Sequence, residues 1–198
     1  MSHTFLKNIP DKMEHKSTTT LQFKEDLLEV FSDSMWKNEI CIEIGTSQGY
    51  SAKFLSHLFK EVWTLEIDNW NIEQAKIHCE GLNNIHFVQG NAYSGTWDKH
   101  FSIKASVAFI DCVHLFDEVS FDINNAYNFM EGGSYLIFDD YGHTNSQVKP
   151  AVQSFISSGH LEHVCYIGKS PDSVIQLNRD PISDWEGIIC KIVKRSET

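Results

Sequence analysis

The chain has 198 residues, 41% of them hydrophobic, with a formal net charge of −11 and a pI near 5.3. That length suits one domain with a single substantial core, and the acidic balance argues against a broad nucleic-acid surface or an anionic membrane as partner. Five scattered cysteines without a C-x-x-C pair, and no signal peptide or long apolar span, lead to the expectation of a cytoplasmic protein with reduced thiols, neither zinc-bound, secreted nor membrane-embedded.

Residues 1–20 are polar, end in Ser17-Thr18-Thr19-Thr20, and read as a flexible N-terminal arm ahead of one domain spanning 21–198. Apolar residues at 23, 27, 28, 30 and 31 predict an amphipathic helix over 21–35. Strand-like apolar runs follow at 39–44, 62–67, 85–88, 105–110, 133–138, 161–167 and 187–193. Helical patterns fill the gaps at 49–60, 70–81, 117–130 and 145–158. Such alternation implies an α/β fold, a mostly parallel sheet with helices on both faces. The last two strands lack a helix between them; residues 168–186 carry two prolines instead, which fits an antiparallel final strand.

The first strand runs into Glu43-Ile44-Gly45-Thr46-Ser47-Gln48-Gly49-Tyr50-Ser51. Two glycines four apart, between a buried strand and a helix, let the backbone turn tightly and approach a ligand at the helix N-terminus. The spacing is not the G-x-G-x-x-G of a dinucleotide site, and a carboxylate two residues before Gly45 would repel a pyrophosphate. It suits a cationic ligand.

This pattern resembles motif I of the class I S-adenosylmethionine-dependent methyltransferases, above all the small O-methyltransferases of the catechol and caffeoyl-CoA type and the macrolide-sugar relatives. The resemblance runs over about residues 38–142. It implies a Rossmann-like seven-stranded sheet of order 3-2-1-4-5-7-6, with S-adenosylmethionine as cofactor. Cofactor-binding candidates are Glu43, Gly45, Gly49 and Ser51, the last toward the methionine carboxylate. Glu66, ending the second strand, is placed for the ribose hydroxyls, while Asp68 is read as a helix cap. Asn91 and Ala92, after Gly90, stand where such enzymes meet the adenine; the family usually has an acid or small polar residue there, so this turn departs from the pattern.

Two further strands end in acids: Asp111 after Val107-Ala108-Phe109-Ile110, and Asp139-Asp140 after Tyr135-Leu136-Ile137-Phe138. Carboxylates converging at strand ends repel unless a cation sits among them, and oxygen ligands favour Mg²⁺ or another divalent cation. Asp111, Asp139 and Asp140 are therefore the candidate metal ligands, although the catechol-type enzymes have Asp-Asn where this chain has Asp-Asp. His114 matches the position of the family's general base; with Asp111, which is also a cofactor-binding candidate, it forms the candidate catalytic pair. His143 is a second, weaker base or ligand candidate. Trp63, Trp70, Trp97 and Trp185 read as packing residues.

The expected activity is O-methylation of a small-molecule hydroxyl, with neither nucleic acid nor membrane as partner and a homodimer left open. N- or C-methylation without a metal, transfer to RNA or protein, a cofactor-binding module without catalysis, and a dinucleotide-dependent oxidoreductase are the alternatives. Loops 142–148 and 168–186 and the arm are the expected walls of the acceptor pocket.

Overall fold

The protein is described here by a computed structural model covering residues 4–169 and 185–194. Its strands are β1 (Ile40–Ile44), β2 (Glu61–Glu66), β3 (Ile85–Gln89), β4 (Val107–Ile110), β5 (Tyr135–Phe138), β6 (Leu161–Ile167) and β7 (Gly187–Ile192). They form one sheet in the order β3-β2-β1-β4-β5-β7-β6. Pairs from β3 through β5 are parallel, and β7 runs antiparallel to both β5 and β6. This is the expected Rossmann-like arrangement, including the antiparallel final strand.

The helices are α1 (Leu21–Val30), α2 (Tyr50–Leu55), α3 (Asn69–His78), α4 (Phe116–Phe129) and α5 (Val148–Ser157). Alternation along the central strands sorts the core into two layers. Cys41, Val62, Phe109 and Ile137 pack with Phe23 and Leu27 of α1 and Ala52 and Phe54 of α2. Ile42, Ile44, Leu136 and Phe138 pack with Val119 and Ile123 of α4 and Val152 of α5 on the other face. Among the described residues no helix is long and apolar enough to cross a membrane.

Four helices are shorter than their patterns predict, and two of them end five residues early. The one expected over 21–35 stops at Val30, and a separate 3₁₀ turn spans Ser34–Asn38. Asp33 causes the break: its carboxylate accepts the N–H of Met35 at 2.8 Å, a side-chain bond that closes a new turn in place of the helix. The helix expected over 49–60 stops at Leu55. Beyond it Leu58 and Phe59 turn into the core, and the Asn84 amide donates to the freed carbonyl of Ser56 at 2.9 Å.

Residues 4–20, expected as a flexible arm, lie against the domain. Ile9, Thr18 and Thr19 are buried. The ammonium of Lys24, itself buried, donates to the carbonyl of Pro10 at 3.0 Å and to that of Thr19. His15 meets the edge of Tyr50, at the start of α2, with ring centroids 4.9 Å apart. The segment thus brings Lys12 and His15 to the C-terminal ends of the strands, where parallel sheets bind ligands. Of the loop expected over 168–186, residues 170–184 lie outside the described residues.

Candidate active site

The turn after β1 holds its shape through three left-handed residues, Gly45 (φ 97°), Ser47 (φ 46°) and Gly49 (φ 80°). Gly45 is also sterically required. A Cβ there would stand 2.1 Å from the carbonyl oxygen of Asp111, so the turn after β1 presses directly on the turn after β4. A hydrogen-bond chain ties the same turn to β2: Thr46 Oγ1 meets Thr64 Oγ1 at 2.5 Å, and Thr64 Oγ1 donates to Glu43 Oε2 at 2.5 Å.

Glu43 itself is fully buried. Burial pushes its carboxyl up to about 8, against the hydrogen bonds of Thr64 and Ser51 and with the help of Asp111 and Glu66. At neutral pH it is therefore mostly protonated. In this arrangement Glu43 holds the turn through Thr64, and its burial favours the protonated form. Ser51, in the first turn of α2, lies near enough to Glu43 to favour its ionised form.

A cleft of about 260 Å³ opens beside this turn, lined by Gly45, Leu65, Glu66, Gly90, Ala92, Tyr93, Cys112 and Val113 among others. Its walls are mainly apolar, with the Glu66 carboxylate at one side. Glu66 accepts the N–H groups of Ser47 at 2.8 Å, Ile67 at 2.9 Å and Asp68 at 2.9 Å, which fixes it at the end of β2. An apolar slot beside one oriented carboxylate, which can accept from both hydroxyls of a ribose, is chemistry that suits S-adenosylmethionine. Asp68 caps α3 by accepting from Trp70 at 2.7 Å. Asn91 lies at the same cleft, but its side-chain oxygen accepts the N–H of Tyr93 at 2.9 Å and shapes the turn. Tyr93, which the sequence did not single out, forms a wall of the cleft and donates to the buried Asp122 at 3.2 Å.

Beyond Cys112 and Val113 stands His114. Its Nε2 lies 3.2 Å from Asp111 Oδ1 and its Nδ1 3.2 Å from Asp140 Oδ2. Asp140 reaches the ring from a left-handed backbone (φ 53°), a strained conformation for a non-glycine residue and one that clusters at functional sites. Burial works against a charged imidazole, but Asp111 and Asp140 outweigh it and raise the pKa of His114. His143 is tied into its own turn, its ring nitrogen meeting the N–H of Asn145 at 3.2 Å.

The acid cluster differs from the expected metal site. Asp139 is buried at 3% exposure. Into the corner between Asp139, Asp140 and Glu186 comes the ammonium of Lys12, at 3.4, 3.0 and 3.2 Å respectively. Burial alone would raise Asp140, but Lys12 and His114 hold it below the usual carboxylate range. Burial drives Asp139 well above that range and also raises Glu186. Among the described residues, the group whose ligand atoms lie within 4.8 Å of one another is Asp111, His114 and Asp140, without Asp139. Two of its acids are joined through His114, and one is paired with Lys12. The residues as arranged do not fit a divalent ion held by Asp111, Asp139 and Asp140, because the corner already holds the Lys12 ammonium and Asp139 lies outside the group whose ligand atoms converge.

Comparison with known proteins agrees with this geometry. A methyltransferase-domain family matches residues 42–141, half of the chain. No curated protein matches by sequence. The O-methyltransferase from Bacillus cereus, solved with S-adenosylhomocysteine, is similar with a TM-score of 0.68 at 17% identity, covering 96% of this chain and 86% of that one. An O-methyltransferase of tomaymycin synthesis from Streptomyces achromogenes, solved with S-adenosylmethionine, gives 0.62 at 12% identity, covering 98% and 91%. An rRNA methylase from Streptococcus thermophilus gives 0.64 at 13% identity, covering 89% and 100%. With its motif I turn, its cleft and its 3-2-1-4-5-7-6 sheet, the chain belongs to the methyltransferase-domain family, as a class I S-adenosylmethionine-dependent methyltransferase.

Proposed function

We propose that the protein transfers a methyl group to a hydroxyl oxygen of a small molecule, with His114 as the base that takes the hydroxyl proton. The observation that carries this reading is the position of His114, two residues past the cleft wall at Cys112 and bound to Asp111 and Asp140. Bound in the cleft, S-adenosylmethionine supplies an electrophilic methyl group on a sulfonium. Glu66 would hold the ribose there, and the Gly45 turn packs against the carbonyl of Asp111. Asp111 and Asp140 orient the imidazole, and one of the two contacts gives way when a hydroxyl binds to the ring. The acceptor oxygen then forms its bond to the methyl carbon as the carbon–sulfur bond breaks, and its proton passes to His114. Alignment of the two reactants contributes much of the acceleration.

Two of the similar structures are named as O-methyltransferases and a third as an rRNA methylase. The net charge of −11 favours a small acceptor over RNA. The test is methyl transfer from S-adenosylmethionine to a panel of phenols, catechols and sugars, with rRNA in a parallel arm and calorimetric titration of S-adenosylhomocysteine as control. Transfer to a small-molecule hydroxyl that His114→Ala abolishes supports the reading. Cofactor binding with transfer to RNA alone, or to no hydroxyl in the panel, refutes it.

A further inference from the structure

We propose that Lys12 is the resident cation of this site: carried in by the segment before α1, its ammonium takes the place of a divalent metal among Asp139, Asp140 and Glu186. The proposal concerns the acid cluster and holds whatever the acceptor is.

The geometry is that of a filled site. An ammonium has three N–H donors, and Lys12 Nζ has three carboxyl partners at 3.0, 3.2 and 3.4 Å. These partners come from the ends of two adjacent strands, β5 and β7. Asp139 and Glu186 are almost wholly buried, at 3% and 1% exposure. Buried acids crowded in this way need a positive partner, since water does not screen them.

The chain on both sides of Lys12 is anchored, so the ammonium is held in place. Asp11 accepts the N–H of Met13 at 2.8 Å and that of Leu21 at 2.5 Å. Thr20 donates its N–H to Glu186 at 3.1 Å and its hydroxyl to the same carboxylate. The segment therefore meets Glu186 twice, once through Lys12 and once through Thr20. A small divalent ion needs close oxygen ligands in near-octahedral array. Here the oxygens it would use already face an ammonium on a tether.

The test is Mn²⁺ binding, followed by loss of the free-ion electron paramagnetic resonance signal, in the full-length wild type, Lys12→Met and Lys12→Met/Asp140→Asn. S-adenosylhomocysteine binding by calorimetry reports folding of each. The wild type is expected to leave the Mn²⁺ signal unchanged. Lys12→Met should bind Mn²⁺ roughly 10- to 100-fold more tightly, the range over which neighbours of a metal ligand act, and Asp140→Asn should remove the gain. Wild-type protein that binds one Mn²⁺ as tightly as Lys12→Met overturns the proposal, as does a folded Lys12→Met that gains nothing. Should Lys12→Met fail to fold, the wild type decides alone: a stoichiometric Mn²⁺ site refutes a resident lysine, and an undisturbed signal at millimolar Mn²⁺ supports it.

Discussion

The carbonyl oxygen of Asp111 occupies the space that a Cβ on Gly45 would need, 2.1 Å away. The relation joins the cofactor turn to the strand end that carries the chemistry, and neither can shift without the other.

Gly45→Ala should therefore fail twice. The left-handed backbone at φ 97° costs an alanine about 1 kcal/mol, and forcing the two turns apart adds roughly 1–3 kcal/mol. Gly81 is the control: its φ is 84°, but nothing lies within 4 Å of an added Cβ. Gly81→Ala should lose only the backbone part, about 1 kcal/mol, and keep its affinity for S-adenosylhomocysteine. Equal losses in both variants, measured by urea melts and calorimetry, would show that the Gly45–Asp111 contact is not tight.

Two carboxylates on one imidazole set the pH dependence of the proposed base. Because Asp111 and Asp140 raise His114 above its ordinary value near 6.5, the neutral ring becomes abundant only on the alkaline side of that value. kcat/KM should rise with pH through a midpoint above about 6.5, and Asp111→Asn should move the midpoint down. His114→Ala should lose roughly 10²- to 10⁴-fold in kcat. A midpoint that ignores Asp111→Asn would remove His114 from the base role.

Much of this arrangement was legible in the chain because it is local. Apolar runs ending in Glu66, Asp111 and Asp139-Asp140 mark strand ends, and in a parallel sheet strand ends converge. The Gly45–Gly49 spacing carries its own turn. Lys12 was not legible: it is a single lysine in a polar segment, and its partners lie more than a hundred residues away, at 139 and 140. Glu186 could have been found, since an antiparallel last strand must begin beside the C-terminal end of β5, where Asp139 sits. The protonation of Glu43 was hidden for a different reason, because burial depends on how α2 closes over β1.

That burial yields a prediction opposite to the one a charged Glu43 would give. With its carboxyl pushed up to about 8, Glu43→Gln replaces one neutral group by another of the same shape, and Thr64 still has an oxygen to donate to. Stability at neutral pH should change by less than about 1 kcal/mol, whereas Glu43→Ala should cost about 2–4 kcal/mol for the cavity and the orphaned hydroxyl. Thermal melts of the two variants decide it. A Gln variant as unstable as the Ala variant would mean that Glu43 is ionised and its charge is required.

Asp122 extends the argument to the whole fold. Its carboxyl is buried in α4 beneath the cleft, accepts from Tyr93 through Oδ2, and leaves Oδ1 without a partner. Burial raises it to about 7, against the Tyr93 hydrogen bond and with Glu118 adding to the rise. The folded chain thus keeps a proton that the unfolded chain releases near pH 4, so this group lowers stability as pH rises from about 4 to about 7, with no further change above. Asp122→Asn keeps the acceptor for Tyr93 and cannot ionise. At about pH 8 it should exceed the wild type by roughly 1–3 kcal/mol, and the gap should close toward pH 4.5. Urea midpoints across that range measure the difference directly. If the two curves stay parallel, Asp122 is not protonated in the folded protein, and the stress beneath Tyr93 is relieved in some other way.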